Sequence, residues 1–429
     1  MSPSALPEGQ PAPLDGSLPP GVALSGGTFS AYVHVPFCRV RCGYCDFNTY
    51  APADLRGPGS TTSAFVEAFH LEVALAKGVL ANAAGSPAAG SPAVGAPGAT
   101  MVDATPGRVP LTPLETVFFG GGTPTLLPVE ELVGMLATLR ATWGFVEGAE
   151  ITIEANPDSV TPQSLSQLAD GGFTRISIGM QSAVPHVLAT LERTHDPANV
   201  ERAVAAAKEV GLQVSVDLIY ATPGESLVEW ERSVRAALAL EPDHISAYAL
   251  VVEDGTKLAN HVRRGLIALP DDDDAADKYE LADRLFTEAG YPWYEVSNWA
   301  RPGRACRHNV AYWRSGDWWG FGPGAHSHVA GARWWNVKHP SAYAARLAAG
   351  ESPAAAREVL SDGDRATETV LLGIRLAEGL PVAALGAEAR AELVALENEG
   401  LIERSRPGRV VVTRRGRLLA DALVRRLVQ

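Results

Sequence analysis

Cysteine is scarce in this chain, with four in 429 residues. Three of them sit close together, at Cys38, Cys42 and Cys45, and the fourth is Cys306. So few thiols exclude a disulfide framework. Their clustering points to a metal site in a reducing compartment, and a cytoplasmic location is expected. Positive charge is also short. The net charge of −13 argues against broad nucleic-acid binding. No Lys or Arg precedes Arg39, so the basic n-region of a signal peptide is missing. Residues 78 to 102 carry no charge, yet Pro87, Pro92, Pro97 and five glycines exclude a membrane span there. What is present is 46% hydrophobic sequence, enough to bury a large core in two or three domains.

Residues 1–29 are rich in Pro, Gly, Ala and Ser and read as a disordered lead-in. Strand-like apolar patterns follow at 31–35, 114–119, 150–154, 175–180, 213–219 and 244–250. Helical spacing appears at 64–80, 128–143, 162–170, 197–210 and 226–240. Between the first helix and the second strand lies an Ala/Gly/Pro insertion, 81–113, expected to be a flexible surface loop. Strands alternating with helices imply an α/β fold with a parallel sheet. Six units fall short of the eight in a closed TIM barrel, so residues 30–250 read as a partial barrel. Residues 251–360 form an extension and 361–429 a C-terminal unit.

The three cysteines follow the first strand, where such folds place their ligand sites. Three thiolates cannot close a structural zinc site, which takes four ligands. They can hold three irons of a [4Fe–4S] cluster and leave the fourth open to a substrate or cofactor. Zinc with His34 or Cys306 as fourth ligand is the alternative. The spacing, with an aromatic residue before the last cysteine, resembles the radical S-adenosylmethionine (SAM) superfamily. That resemblance implies a partial (β/α)6 barrel, with SAM chelated by the open iron.

Further features stand at or near successive strand ends: Gly120-Gly121-Gly122-Thr123-Pro124, Glu154, Gln181, then Arg193 on the next helix, and Asp217 late in the fifth strand. Adjacent glycines allow close backbone approach. A carboxylate at a strand end can bind ribose hydroxyls, and an Arg can grip a carboxylate. Read one at a time, a turn, a helix cap or a structural Asp would serve as well. Together they resemble the oxygen-independent coproporphyrinogen III oxidase family. The resemblance implies SAM contacts from Tyr32, Gly121, Gly122, Thr123, Glu154, Gln181, Arg193 and Asp217, with Cys38, Cys42 and Cys45 as cluster ligands.

True oxidases of that family carry a further cysteine two residues after the last ligand, where this chain has Phe47. They also have an ordered N-terminal extension, which the first 29 residues do not resemble. Both departures match the haem chaperone branch, as does His308-Asn309-Val310-Ala311-Tyr312-Trp313. That branch implies haem delivery to apo-haemoproteins such as respiratory enzymes, and a reductant such as a flavodoxin or ferredoxin. An imidazole with aromatic faces suits haem, which makes His308 and His326 candidate ligands. The same histidines serve equally as hydrogen-bonded core. The competing functions are oxidative decarboxylation of coproporphyrinogen III and, with nothing specific in its favour, radical SAM methyl transfer.

Residues 361–429 read as helix, β-ribbon and helix, resembling a winged-helix cap. From Gly400 onward there are eight Arg against Glu403 and Asp421. Closure of the barrel by a family-type cap is expected over a nucleic-acid face. The basic patch also suits haem propionates, a partner protein or peripheral contact with an anionic membrane.

Overall fold

The computed structural model describes residues 7–24, 27–55, 57, 59–84, 112–269 and 271–428. Its strands, in chain order, are β1 (Gln10–Pro11), β2 (Phe29–Val35), β3 (Leu114–Gly121), β4 (Phe145–Ala155), β5 (Arg175–Gln181), β6 (Gln213–Tyr220), β7 (His244–Ala249), β8 (Trp293–Glu295) and β9 (Asn298–Ala300). They continue with β10 (Asp317–Phe321), β11 (His326–Val329), β12 (Ala332–Asn336), β13 (Ala354–Val359), β14 (Leu380–Pro381), β15 (Ile402–Glu403) and β16 (Arg409–Val412). Thirteen of them share one sheet, in the order β1-β13-β12-β11-β10-β2-β3-β4-β5-β6-β7-β9-β8.

The six expected strands are β2 to β7, all parallel to one another. Strands covered on both faces read as continuous apolar runs. Accordingly all of β5, and all of β2 but Tyr32, is buried. The helices between them bury one stripe each, as Leu132, Met135, Leu136 and Leu139 do on Val129–Trp143. Capping boxes at Thr161 and Ser226 start two more helices at defined points.

Residues 251–360 are not a detached extension. β10 joins the barrel as a further parallel strand beside β2, with Gly320 opposite Tyr32. β8 and β9 cover the other edge through β7. Pairing across such sequence separation leaves no local periodicity to read.

The described part of the lead-in differs from the disorder expected of it. Gln10 and Pro11 pair with Arg357 and Ala356 on β13, and Leu18, Val22 and Leu24 pack against the main core. A few apolar side chains and an available sheet edge order a segment whose composition alone would not. The expected insertion lies largely outside the described residues. Its first residues continue the helix Thr62–Ala84.

The C-terminal unit has its own apolar cluster and a small sheet ordered β14-β16-β15. The expected ribbon is β15 and β16; β14 is an addition. The last helix, expected over 418–427, is Ala420–Leu427, and a short helix Arg414–Leu418 precedes it. Most of the basic excess is neutralised internally. Arg414 and Arg417 grip the buried Asp283 of the helix Asp272–Glu288, which docks the unit onto the barrel. Arg404, Arg409 and Arg426 pair with Glu397, Glu378 and Glu392.

Candidate cluster and cofactor site

The cysteine loop leaves β2 between two glycine turns, because both neighbours of β2 end in one. On the β3 side, Gly122 N donates to Val35 O at 2.8 Å and Thr123 N to Phe37 O at 2.7 Å. A side chain at Gly122 would run into the Phe37 carbonyl. Gly121, at φ +105°, lies against the His34 ring, and an added Cβ would meet that ring at 2.6 Å. On the β10 side, Gly322 N donates to Glu72 Oε2 at 2.9 Å. Asn48 closes the loop by donating to Pro323 O and Lys338 O.

Glu72 is the anchor of this frame and was not among the expected site residues. It also accepts from Asn336 Nδ2 at 2.8 Å and from the Tyr343 hydroxyl at 2.5 Å. Burial raises its pKa to about 7 despite those donors. A signal was present in the sequence: Glu72 falls on the apolar stripe of Phe65, Phe69 and Ala76.

A cavity of about 590 Å³ opens beside the loop at the carboxyl ends of the parallel strands. Every residue expected to hold the cluster or SAM lines it, and so does His308; His326 does not. Cys38, Cys42 and Cys45 are partly exposed with free thiols. Burial, then the neighbouring cysteines, pushes the Cys38 thiol up to about 11. Such a thiol set favours a cation among its sulfurs. Among the described residues no three His, Cys, Asp or Glu side chains converge on one point as a single ion requires. A cluster asks for something else, one thiolate per iron. The zinc alternative also loses its fourth ligand. His34 Nδ1 bonds the Tyr32 hydroxyl and Nε2 the Asn48 carbonyl, while Cys306 Sγ lies on Glu150.

The remaining wall fits SAM. Arg193 lies 3.7 Å from Cys42 Sγ through Nη1 and donates from Nη2 to Gly179 O at 2.9 Å. Its Nε is buried without a partner, as is Thr152 Oγ1 on the same wall. These are unmet polar groups that a carboxylate and hydroxyl-bearing ligand can satisfy. Glu154 accepts from Gly121 N at 3.1 Å, and burial, then Asp217, raises its pKa to about 8. Gln181 ends β5 in the left-handed region at φ +61°, a costly conformation that turns the chain at the rim. The residues present therefore fit the cluster and SAM. Cys38, Cys42 and Cys45 would hold the first, and the strand-end set the second.

Local sequence did not signal the polar floor of the cavity. There His244 bridges Ser215 Oγ at 2.7 Å and the Tyr294 hydroxyl at 2.8 Å. The two haem candidates diverge. His308 is buried, with Nδ1 on Thr116 Oγ1 at 2.7 Å and Nε2 on the Tyr312 hydroxyl at 2.8 Å. Burial lowers its pKa to about 3. His326 is exposed on β11 and stacks on Trp335.

Comparison with known proteins agrees with this geometry. Residues 108–237 match the radical SAM superfamily and residues 360–419 the HemN C-terminal domain. A heme chaperone HemW from Mycobacterium tuberculosis (strain ATCC 25618 / H37Rv) is 47% identical over 414 residues, covering 95% of this chain and 97% of that protein. The chain belongs to the heme chaperone HemW family. A HemW from Escherichia coli (strain K12) is 34% identical over 70% of each chain. Among solved structures, coproporphyrinogen III oxidase (HemN) from Escherichia coli superposes with a TM-score of 0.73 at 21% identity, covering 93% of this chain and 89% of that one. That likeness establishes the shared fold. Within the HemW-family chain the expected (β/α)6 barrel is thus present, widened by β10. Among the described residues no helix is long and apolar enough to cross a membrane.

Proposed function

We propose that this protein is a cytoplasmic haem chaperone on a radical SAM scaffold, which binds haem and passes it to apo-haemoproteins. The observation that carries the reading is its likeness to haem chaperones along nearly the whole chain. Phe47 supports it. This residue is exposed at the cavity mouth, where the oxidases are expected to carry another cysteine. When bound, the cluster and SAM supply one-electron reductive chemistry. The chain's own part is to hold three thiolates, to shape the SAM wall with glycine backbone, and to keep Glu154 and Arg193 away from bulk water. A small acidic redox protein of the flavodoxin or ferredoxin kind suits the partly exposed loop with Arg39 and Arg41. Respiratory apo-haemoproteins and transient contact with an anionic membrane surface complete the proposed partners.

The test is a direct comparison of two activities. Purified, cluster-loaded protein should retain about one haem per chain and transfer it to an apo-haemoprotein. With SAM, reductant and coproporphyrinogen III it should form little or no protoporphyrinogen IX. Robust protoporphyrinogen formation without haem retention would restore the oxidase reading.

A further inference from the structure

The barrel cavity continues below the SAM wall. We propose that this lower chamber binds a second small molecule, one that carries a primary ammonium group, at the same time as SAM. The site goes beyond the haem-chaperone reading, which requires no small-molecule pocket in the barrel.

Depth separates the chamber from the cofactor wall. Gly121, Glu154 and Gln181 stand at the carboxyl ends of their strands. Thr152 and Ser177 also line the cavity, two residues before Glu154 and four before Gln181. At about 3.3 Å per residue they lie about 7 and 13 Å further in. The helix Arg307–Trp313 closes the far end. The Arg307 and His308 backbone N–H groups donate to Glu150, which is level with Thr116 near the start of β3. His308, Asn309 and Tyr312 of that helix complete the cavity wall. The His-Asn-x-x-Tyr-Trp segment is thus the floor of the chamber.

The inward positions are built to leave space. A filled barrel carries bulky branched apolar side chains there. Here Ile153, Ile178, Val216 and Ala247 are buried in the main core outside the barrel, while their neighbours Thr152, Ser177, Ser215 and Ser246 line the cavity. Four small hydroxyl side chains surround the space with donors and acceptors. Thr152 is 1% exposed, and its Oγ1 has no hydrogen-bond partner. A polar ligand in the chamber meets that need.

The charge of the chamber selects a cation. Asp217 lies late in β6 rather than at its end, so it faces the chamber as well as the SAM wall. Ser177 Oγ at 2.8 Å and Ser215 Oγ at 3.5 Å donate to its carboxylate and hold it there. Glu154 stands near enough to interact with it electrostatically. Among the described residues neither carboxylate has an ion-pair partner. Arg175, at the start of β5, is spent on Glu150 and on the Arg304 carbonyl. A buried carboxylate without a counter-ion is costly, and an ammonium group removes that cost. The half-open ring of Tyr248 on the cavity wall suits the same cation. Among the described residues no three acidic or other metal-binding side chains converge on one point. The chamber therefore fits an extended organic cation and not a metal ion.

The experiment is a calorimetric titration of the purified, cluster-loaded full-length chain in amine-free buffer, with and without saturating SAM. The probes are putrescine and ethanolamine, with 1,4-butanediol and ethylene glycol as uncharged counterparts of the same size. Both amines should bind in the presence of SAM, about tenfold or more tighter than the diols. Ser177→Leu, which fills the chamber, should abolish amine binding, and Ser177→Ala, which keeps the space, should retain it. Thr152→Val, of equal size without the hydroxyl, should weaken it severalfold. An unchanged cluster spectrum shows that each variant is folded. Displacement of the amine by SAM would put it in the cofactor site. Absent binding, equal affinity for amine and diol, or full binding by a folded Ser177→Leu would leave the chamber to water. Each of these results overturns the proposal, and none touches the chaperone reading, which haem retention tests separately.

Discussion

The side-chain amide of Asn48 donates to the Pro323 carbonyl at 2.8 Å, tying the cysteine loop to the turn that ends β10. Its second hydrogen goes to the Lys338 carbonyl at 2.9 Å. One side chain thus joins the cluster loop to a segment 275 residues away. Asn48→Ala should leave two carbonyls without their donor and cost about 1–3 kcal/mol of stability. The cluster should also be lost faster to a chelator. Denaturation midpoints and iron release give the two readings, and unchanged iron release would remove the loop-anchoring role.

Anaerobic reconstitution should give about four iron and four sulfide per chain. Cys38→Ala, Cys42→Ala or Cys45→Ala should each abolish the cluster spectrum. Cys306→Ala should retain it, because that thiol is buried against Glu150 and bonded to it. Iron and sulfide assays decide the matter, and cluster loss in the Cys306 variant would contradict this ligand set.

SAM binding should depend on the glycine turn and on Arg193 in different ways. A Cβ at Gly122 meets the Phe37 carbonyl, so Gly122→Ala should displace the turn and weaken both SAM and cluster retention. Arg193→Ala removes a charged hydrogen bond worth about 1.5–3 kcal/mol, so SAM affinity should fall by about tenfold or more while iron content stays. Equilibrium binding with parallel iron assays separates the two effects. An Arg193 variant with wild-type SAM affinity would show that its unpartnered Nε faces something else.

Glu72 sets a pH dependence. Its pKa rises from 4.5 to about 7 because burial outweighs the hydrogen bonds it accepts. The folded state therefore binds a proton more tightly than the unfolded state does. The resulting stability is present below about pH 4.5 and is lost as pH rises toward 7. Glu72→Gln, which mimics the protonated acid, should flatten that decline. Denaturation midpoints measured from pH 5 to 7.5 should diverge between variant and wild type, and parallel curves would assign the slope to other groups.

Much of the site was legible along the chain. Cys38, Cys42 and Cys45 are close in sequence, and local spacing is enough to bring three thiols onto one loop. Glu154 and Gln181 could be placed because each stands at the end of an apolar run, Asp217 because it falls late in one, and parallel strands carry these positions toward one side of the sheet. The six strands β2 to β7 were readable for the same reason, since burial on both faces writes itself into consecutive residues.

What tertiary structure decided is whatever depends on distant partners. β10 became a parallel neighbour of β2, and the N-terminal segment found an edge on β13, through contacts that leave no periodic trace. His308 and His326 look alike in the sequence, as two imidazoles in one aromatic-rich segment. Their difference comes from Thr116 and Tyr312, which bond both ring nitrogens of His308, whereas among the described residues no partner bonds the exposed His326 ring. Hydrogen-bond satisfaction belongs to three-dimensional surroundings, and it separates a bonded wall residue from an unbonded imidazole where residue type cannot.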